Sequence, residues 1–242
     1  SGTQHGQGEY PSRIVRERDQ VRGHLPFNAV DYSPILRACL NNMDDWIKGI
    51  RDAPYSCHPR HSDGSAVESN SLLESFKSVP RVRVPEVTLN PIRLDYGDQQ
   101  HLGKTTKLPP GRGKTYPAFV SQVDDTLNEI AGIRLPDISV PVTTNTGWNP
   151  RHETIGNPGL LIGITGGLAG WTFPLPATDV IASQIGDPRP SVESLYSTKQ
   201  RYLELVKNAA ESLLLNRYIL KEDIDEIVGL AEDRYDDVVG IS

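Results

Sequence analysis

The sequence predicts a mixed α/β chain, and three stretches carry that prediction. One amphipathic helix follows a Gly-rich start, a β-leaning section runs over residues 116–178, and residues 179–242 are helical. The first helix lies in "DYSPILRACLNNMDDWIKGIRD". Ser33 is its expected cap and Pro34 suits its first turn, while Leu36, Leu40, Met43, Ile47 and Ile50 recur at helical spacing. Ile35 and Trp46 widen that stripe, so the helix is expected to pack on something large. Cys39, inside the pattern, reads as a small core residue.

Residues 53–115 read as irregular. Seven prolines (Pro54, Pro59, Pro80, Pro85, Pro91, Pro109 and Pro110) exclude long helices and interrupt any sheet ladder. "PRVRVPEVTLNPIRLDYG" reads as extended pieces draped over another surface, and "GKTTKLPPGRGKTYP" as an exposed loop. Gly-Lys-Thr occurs twice in that loop, without the full spacing of a phosphate-binding loop or its strand–loop–helix context. In the next section, "PAFVSQVDDTLNEIAGIRL" reads as strand, turn, strand, and "DISVPVTTNTGWNP" continues in that style. "GLLIGITGGLAGWTFPLPAT" suits close packing and tight turns and lacks the dinucleotide fingerprint. At the C-terminal end, Ser191 or Ser197 is the expected cap. Tyr202, Val206, Ala209 and Leu213 form one stripe, and a shorter acidic-headed helix follows a break near Leu220.

Charge and composition exclude several function classes. The 242 residues carry a net charge of −6 with scattered basic residues, so nothing favours a nucleic acid or an anionic membrane as partner. The cluster Arg13, Arg16, Arg18 and Arg22 is interrupted by Glu17 and Asp19 and reads as a solvated face. No apolar run reaches the ~20 residues of a membrane span. No signal peptide is present, which says nothing about secretion in a chain expected to lack its natural start. Cys39 and Cys57 make no disulfide framework. Cys57, His58 and His61 supply three ligands around a stiffening Pro59, and a loop with incidental histidines explains them better than a metal site. Neither a metal nor an organic cofactor is implied.

The chemistry is expected at the other end, in "SGTQHGQGEYP". Serine becomes a nucleophile once a base removes its proton, and imidazole does this near neutral pH. No Gly-x-Ser-x-Gly turn occurs in the chain. In an α/β hydrolase the triad runs Ser, then Asp or Glu, then His, with the histidine on a loop after the last core strand. A chain beginning just before that loop would hold the histidine, a loop and a closing helix. His5 and the helix near Pro34 stand in that arrangement, with Gly2 and Gly6 expected to let the backbone turn sharply. His24, His101 and His152 read as surface residues.

Six blocks resemble the group labelled alpha/beta hydrolase domain-containing proteins. They are "GTQHG" at 2–6, "NAVDYSPILRACLNNMDDWI" at 28–47, "PRHSDGS" at 59–65, "YPAFVSQVD" at 116–124, "NEIAGIRLPDISVPVTTNTGWN" at 128–149 and "GDPRPSVESLYSTKQRYLELV" at 186–206. The resemblance implies an α/β-hydrolase fold, incomplete in this chain. Residues 1–52 would be the histidine loop and last core helix, 53–115 a Pro-rich wrapping segment, 116–178 a β-leaning accessory region and 179–242 a helical region. It implies His5 as the triad histidine of a carboxylic ester or lactone hydrolase. A complementary N-terminal chain of the same precursor would supply the serine and the acid. Two departures stand out: Thr126-Leu127 where the family often has an Asp-Gly-type turn, and Asn145 at a commonly aromatic position. Around Cys57 only Pro59, Arg60, Asp63 and Gly64 match. Trp148 and Asn149 are expected to line a pocket or to pack, with packing favoured.

Two rival readings remain. Ser1 could be an N-terminal nucleophile using its own amine as base, although the segment behind it is poor strand material. Alternatively, the chain could be a noncatalytic covering or assembly module of the hydrolase.

Overall fold

A computed structural model describes residues 1–17, 19–86, 91–163 and 168–240. Parts of three expected features lie outside these residues: Arg18 of the basic cluster, 87–90 of the draped segment and 164–167 of the Gly-rich run. Seven α-helices are described: α1 (Ser33–Ile47), α2 (Ser69–Lys77), α3 (Pro136–Ser139), α4 (Asp179–Ile185), α5 (Val192–Tyr196), α6 (Lys199–Leu215) and α7 (Ile224–Gly240). The strands are β1 (Ala66–Glu68), β2 (Ile92–Asp95), β3 (Gly111–Thr115), β4 (Phe119–Ser121), β5 (Thr143–Asn145) and β6 (Thr172–Pro174). They pair only as two-stranded antiparallel sheets among the described residues: β1 with β4, β2 with β3, and β5 with β6.

The main core is helical. Tyr202, Val206 and Ala210 of α6 pack with Ile227, Ala231 and Val238 of α7, and Ile138, Val192 and Tyr196 close the cluster. The stripe expected on α6 is therefore turned slightly, with Ala210 buried where Ala209 was expected. α7 is as long as α6, 17 residues each, because "VVG" continues its pattern past Asp237. Ser191 caps α5 by accepting from Ser194 N at 3.0 Å. α6 is capped by Thr198, which accepts from Arg201 N at 3.1 Å, while Ser197 takes a left-handed φ of 59° and serves as the turn between the two helices.

Residues 53–115 are more ordered than their prolines suggest. The stretch from Pro59 to Pro80 is long enough for the two turns of α2, which buries Phe76. The second Gly-Lys-Thr lies in β3 rather than in a loop: Thr115 faces Ile92 and Gly111 faces Asp95. In the next section β4 forms, but its expected partner strand reduces to a Val123–Glu129 bridge across the turn at Thr126 and Leu127. Phe76, Trp148 and Trp171 meet edge to face, at centroid separations of 5.4 to 5.9 Å, in a second core with Leu25, Val79 and Leu127.

Helix α1 departs most from expectation. Asp31, not Ser33, organises its start, accepting from Ser33 N at 2.8 Å and from Ser33 Oγ at 2.5 Å. The helix docks on the chain by a mixed side, with Ile35 packed on the main core next to two polar contacts. Arg37 Nη2 reaches Asp223 Oδ1 at 2.5 Å and Asn42 Nδ2 donates to Arg217 O at 2.7 Å, beside buried Pro34 and Ala38. The apolar stripe faces outward, with Leu40 63 % and Ile47 72 % exposed, and Leu36, Met43, Trp46 and Ile50 exposed with them. Cys39 is likewise exposed rather than a core residue. The helical period was legible; which face the chain would cover was not.

Candidate active site

The Gly-Thr-Gln-His-Gly turn is built by neighbours that hold its backbone. His5 N donates to Leu168 O at 3.3 Å, and Tyr32 Oη, at the start of α1, donates to His5 O at 2.8 Å. Gln4 Oε1 accepts from Gly170 N at 3.0 Å, and Gly2 N donates to Glu129 Oε2 at 3.0 Å. Gly2 has a φ of +60°, and a Cβ there would press on the end of the Ile138 side chain, so glycine is favoured. Gly6 has open space around its Cα and no left-handed φ, so the turn makes no conformational demand for glycine there. The His5 side chain is exposed, and no described residue hydrogen-bonds its imidazole. Its backbone is fixed on both sides, and its ring has no partner among the described residues.

Buried asparagines brace this turn. Asn28 Nδ2 donates to Gly2 O at 2.6 Å and to Thr146 O at 2.8 Å, tying the histidine turn to the Thr-Gly-Trp-Asn segment. Asn128 Oδ1 accepts from Asn145 N at 3.0 Å, and Asn145 Oδ1 accepts from Thr172 Oγ1 at 2.7 Å. Asn149 is fully buried, and its amide donates to Leu25 O at 3.0 Å and Gly170 O at 3.2 Å. Each such bond stabilises by about 0.5–1.5 kcal/mol net, and losing a buried partner costs more. Gly170 permits the closest approach: a Cβ there would overlap Thr146 O. Asn145 is thus a buried polar strut, and Asn149 holds backbone together.

Trp148 both packs and lines a cavity. Its half-buried ring meets Phe76 and Trp171, and it forms part of the wall of a mainly apolar cavity of about 730 Å³ together with Leu72, Phe76, Val120 and Leu127. Leu168 and Gly147 also line this cavity. Leu168 O is the acceptor of His5 N, and the Cβ position of Gly147 lies 3.0 Å from Thr3 O. The histidine turn therefore borders one end of the cavity.

The model of a family described as "Alpha/beta hydrolase domain" matches residues 1–229, nearly the whole chain and all of this site. The chain belongs to the alpha/beta hydrolase domain family. Membership assigns this hydrolase-family chain to hydrolases in general. No curated protein and no solved structure matches it.

In this hydrolase-family chain His5, Trp148 and Asn149 come together through backbone neighbours, while the other singled-out groups lie elsewhere. Cys57 Sγ lies 3.1 Å from Tyr218 Oη, a contact that pushes the phenol pKa up to about 12. The His61 ring stands edge-on to Phe119, and no three His, Cys, Asp or Glu side chains among the described residues group as metal ligands. Ser1 Oγ donates to Ala131 O and Ser1 N to Ile133 O at 3.2 Å. His24 is half-buried rather than a surface residue: its Nε2 donates to Arg81 O at 2.8 Å, and burial lowers its pKa. Gln4, Asn28, Asn128 and Thr146 escaped sequence reading as site residues. The available signal was that each sits in one of the six matched blocks.

Proposed function

We propose that this chain is the C-terminal portion, or a processed subunit, of a serine hydrolase acting on carboxylic esters, with lactones as a related class. His5 is its general base. The observation that carries the reading is a histidine turn whose backbone is hydrogen-bonded at both N and O, to Leu168 of the cavity wall and to Tyr32, with an exposed ring that has no partner among the described residues. The complementary part of the precursor supplies the serine, the acidic residue and the sheet that covers the apolar face of α1. That exposed face supports the reading: a stripe of six large apolar side chains is rare on a surface that meets only water.

In the reaction, a ring nitrogen of His5 takes the serine proton as the serine oxygen attacks the ester carbonyl carbon. The imidazolium then returns that proton to the departing alcohol oxygen as the C–O bond breaks. Water repeats the sequence on the acyl-enzyme, its proton passing through the same ring to the serine as the acid leaves. A base in this role contributes about 10²–10⁴-fold. Rigid backbone placement is what such a base needs, because geometry as well as basicity governs the transfer.

The test uses the full-length natural protein. His5→Ala should lower 4-nitrophenyl ester turnover by about 10²-fold or more without changing folding. A fluorophosphonate should label a serine outside residues 1–242. Unchanged turnover in His5→Ala overturns the proposal, and label on Ser1 transfers the nucleophile to the N-terminal alternative.

A further inference from the structure

The structure holds a second determinant that the proposed chemistry does not require, the apolar cavity beside the histidine turn. Its volume of about 730 Å³ falls in the range of small-molecule sites, about 300–1,000 Å³. Two aromatic rings, Phe76 and Trp148, face it together with aliphatic side chains contributed by α2, β4 and the segment around Leu160. Val120, Leu160 and Leu168 are exposed around it, so its apolar wall continues out to solvent.

Glu129 is the only titratable side chain among the described lining residues, and its carboxylate is already engaged by Gly2 N. No cation is present there to receive an acid, and a buried charge without a partner is strongly disfavoured. Asn145, Thr146 and the Gly147 backbone form the end that borders Gly2 and Thr3 of the histidine turn, while Ser69 and Ser121 are the polar side chains that α2 and β4 add to the wall. The cavity is therefore mainly apolar, with Asn145, Thr146 and Glu129 at the end nearest the histidine turn.

We infer that this cavity binds the uncharged, bulky apolar portion of a ligand and presents the polar end to His5. Resting on the hydrolase reading, this names the substrate class as hydrophobic esters, with small acetates and charged esters disfavoured. The apolar body gains by leaving water roughly in proportion to the area it buries. An acetyl group would leave most of the volume unfilled.

The test separates binding from hydrolysis in the full-length natural protein. N-phenyl-1-naphthylamine, an uncharged apolar fluorophore, should bind once per chain, with energy transfer from tryptophan. Val120→Trp fills the cavity from a strand position, and Leu160→Asp places a charge on its exposed rim. Each should weaken dye binding at least tenfold with the circular dichroism unchanged. With 4-nitrophenyl esters, wild type should favour octanoate over acetate at least tenfold in kcat/KM, and Val120→Trp should erase that preference. Absence of dye binding, or wild-type affinity in both variants, overturns the cavity proposal even if esters are hydrolysed. Dye binding that both variants weaken, without hydrolysis of any ester, upholds the cavity and overturns the hydrolase reading alone.

Discussion

Asp187→Ala should destabilise this chain severely although Asp187 lies outside the candidate site. The Asp187 and Arg189 side chains are each only 1 % exposed, and they face each other across 2.7 Å. Asp187 accepts from Arg189 N and Nε at 3.0 Å each and from Nη2 at 2.7 Å. Removing the carboxylate leaves Nε without an acceptor and the guanidinium without its counter-ion. Nη1 keeps Thr144 Oγ1 at 2.8 Å and Nη2 keeps Pro174 O at 2.7 Å, so the cation stays buried rather than escaping to water. Breaking one side of such a pair costs about 3–5 kcal/mol, against a total of about 5–15 kcal/mol for a domain. Because Arg189 also bonds β5 and the end of β6, the loss should reach the strand that leads into Thr146. Urea unfolding followed by circular dichroism measures it, and the melting temperature should fall by about 2–4 °C per kcal/mol. Asp187→Ala/Arg189→Met should recover much of the loss, since an apolar replacement needs no counter-ion. The exposed Lys107–Asp95 pair is the control, and Lys107→Ala should show no measurable loss. A cost under about 1 kcal/mol, or a double variant no better than the single, would refute the reasoning.

Other expectations follow from individual sites. Gly170→Ala forces a Cβ into Thr146 O and should cost about 1–3 kcal/mol in thermal unfolding, whereas Gly6→Ala, with open space around it, should change stability by no more than about 0.5 kcal/mol. Because burial lowers the His24 pKa, the folded state holds it neutral while the unfolded chain takes up a proton near the ordinary value of about 6.5. Its contribution is therefore present above that pH and lost as pH falls from there toward the folded value. Urea titrations at about pH 7.5 and 5.5 should show a smaller drop in His24→Gln than in wild type. An equal drop would dismiss His24 as a contributor. Leu40→Ser/Met43→Ser should reduce binding of hydrophobic dye to the chain while leaving its melting temperature unchanged, since both side chains already lie exposed. In the longer protein proposed above the same pair should lower stability, and the absence of that difference would argue against a covering partner.

The candidate site was partly legible. His5 stood out because its glycine-flanked turn precedes a helix in an order that hydrolase chemistry gives meaning to, and Trp148 because its motif lay in a matched block. Asn28 and Asn128 did not stand out, because a single Asn in a sequence looks like loop chemistry until its donors are seen meeting carbonyls more than a dozen residues away. α2 was hidden by prolines that bracket it rather than interrupt it.

What the sequence by itself determined is local and periodic: α1, α6 and α7, whose spacing follows from the geometry of the helix, and the six blocks that carry the family. Tertiary structure alone decided which face each helix buries and which distant backbones meet. α1 shows the difference: its apolar period is visible in the chain, yet Arg37 and Asn42 dock it inward and leave that stripe outside. Periodicity depends on neighbours three and four residues apart. Burial and the meeting of His5 with Leu168 depend on pairs whose separation in sequence carries no local signal.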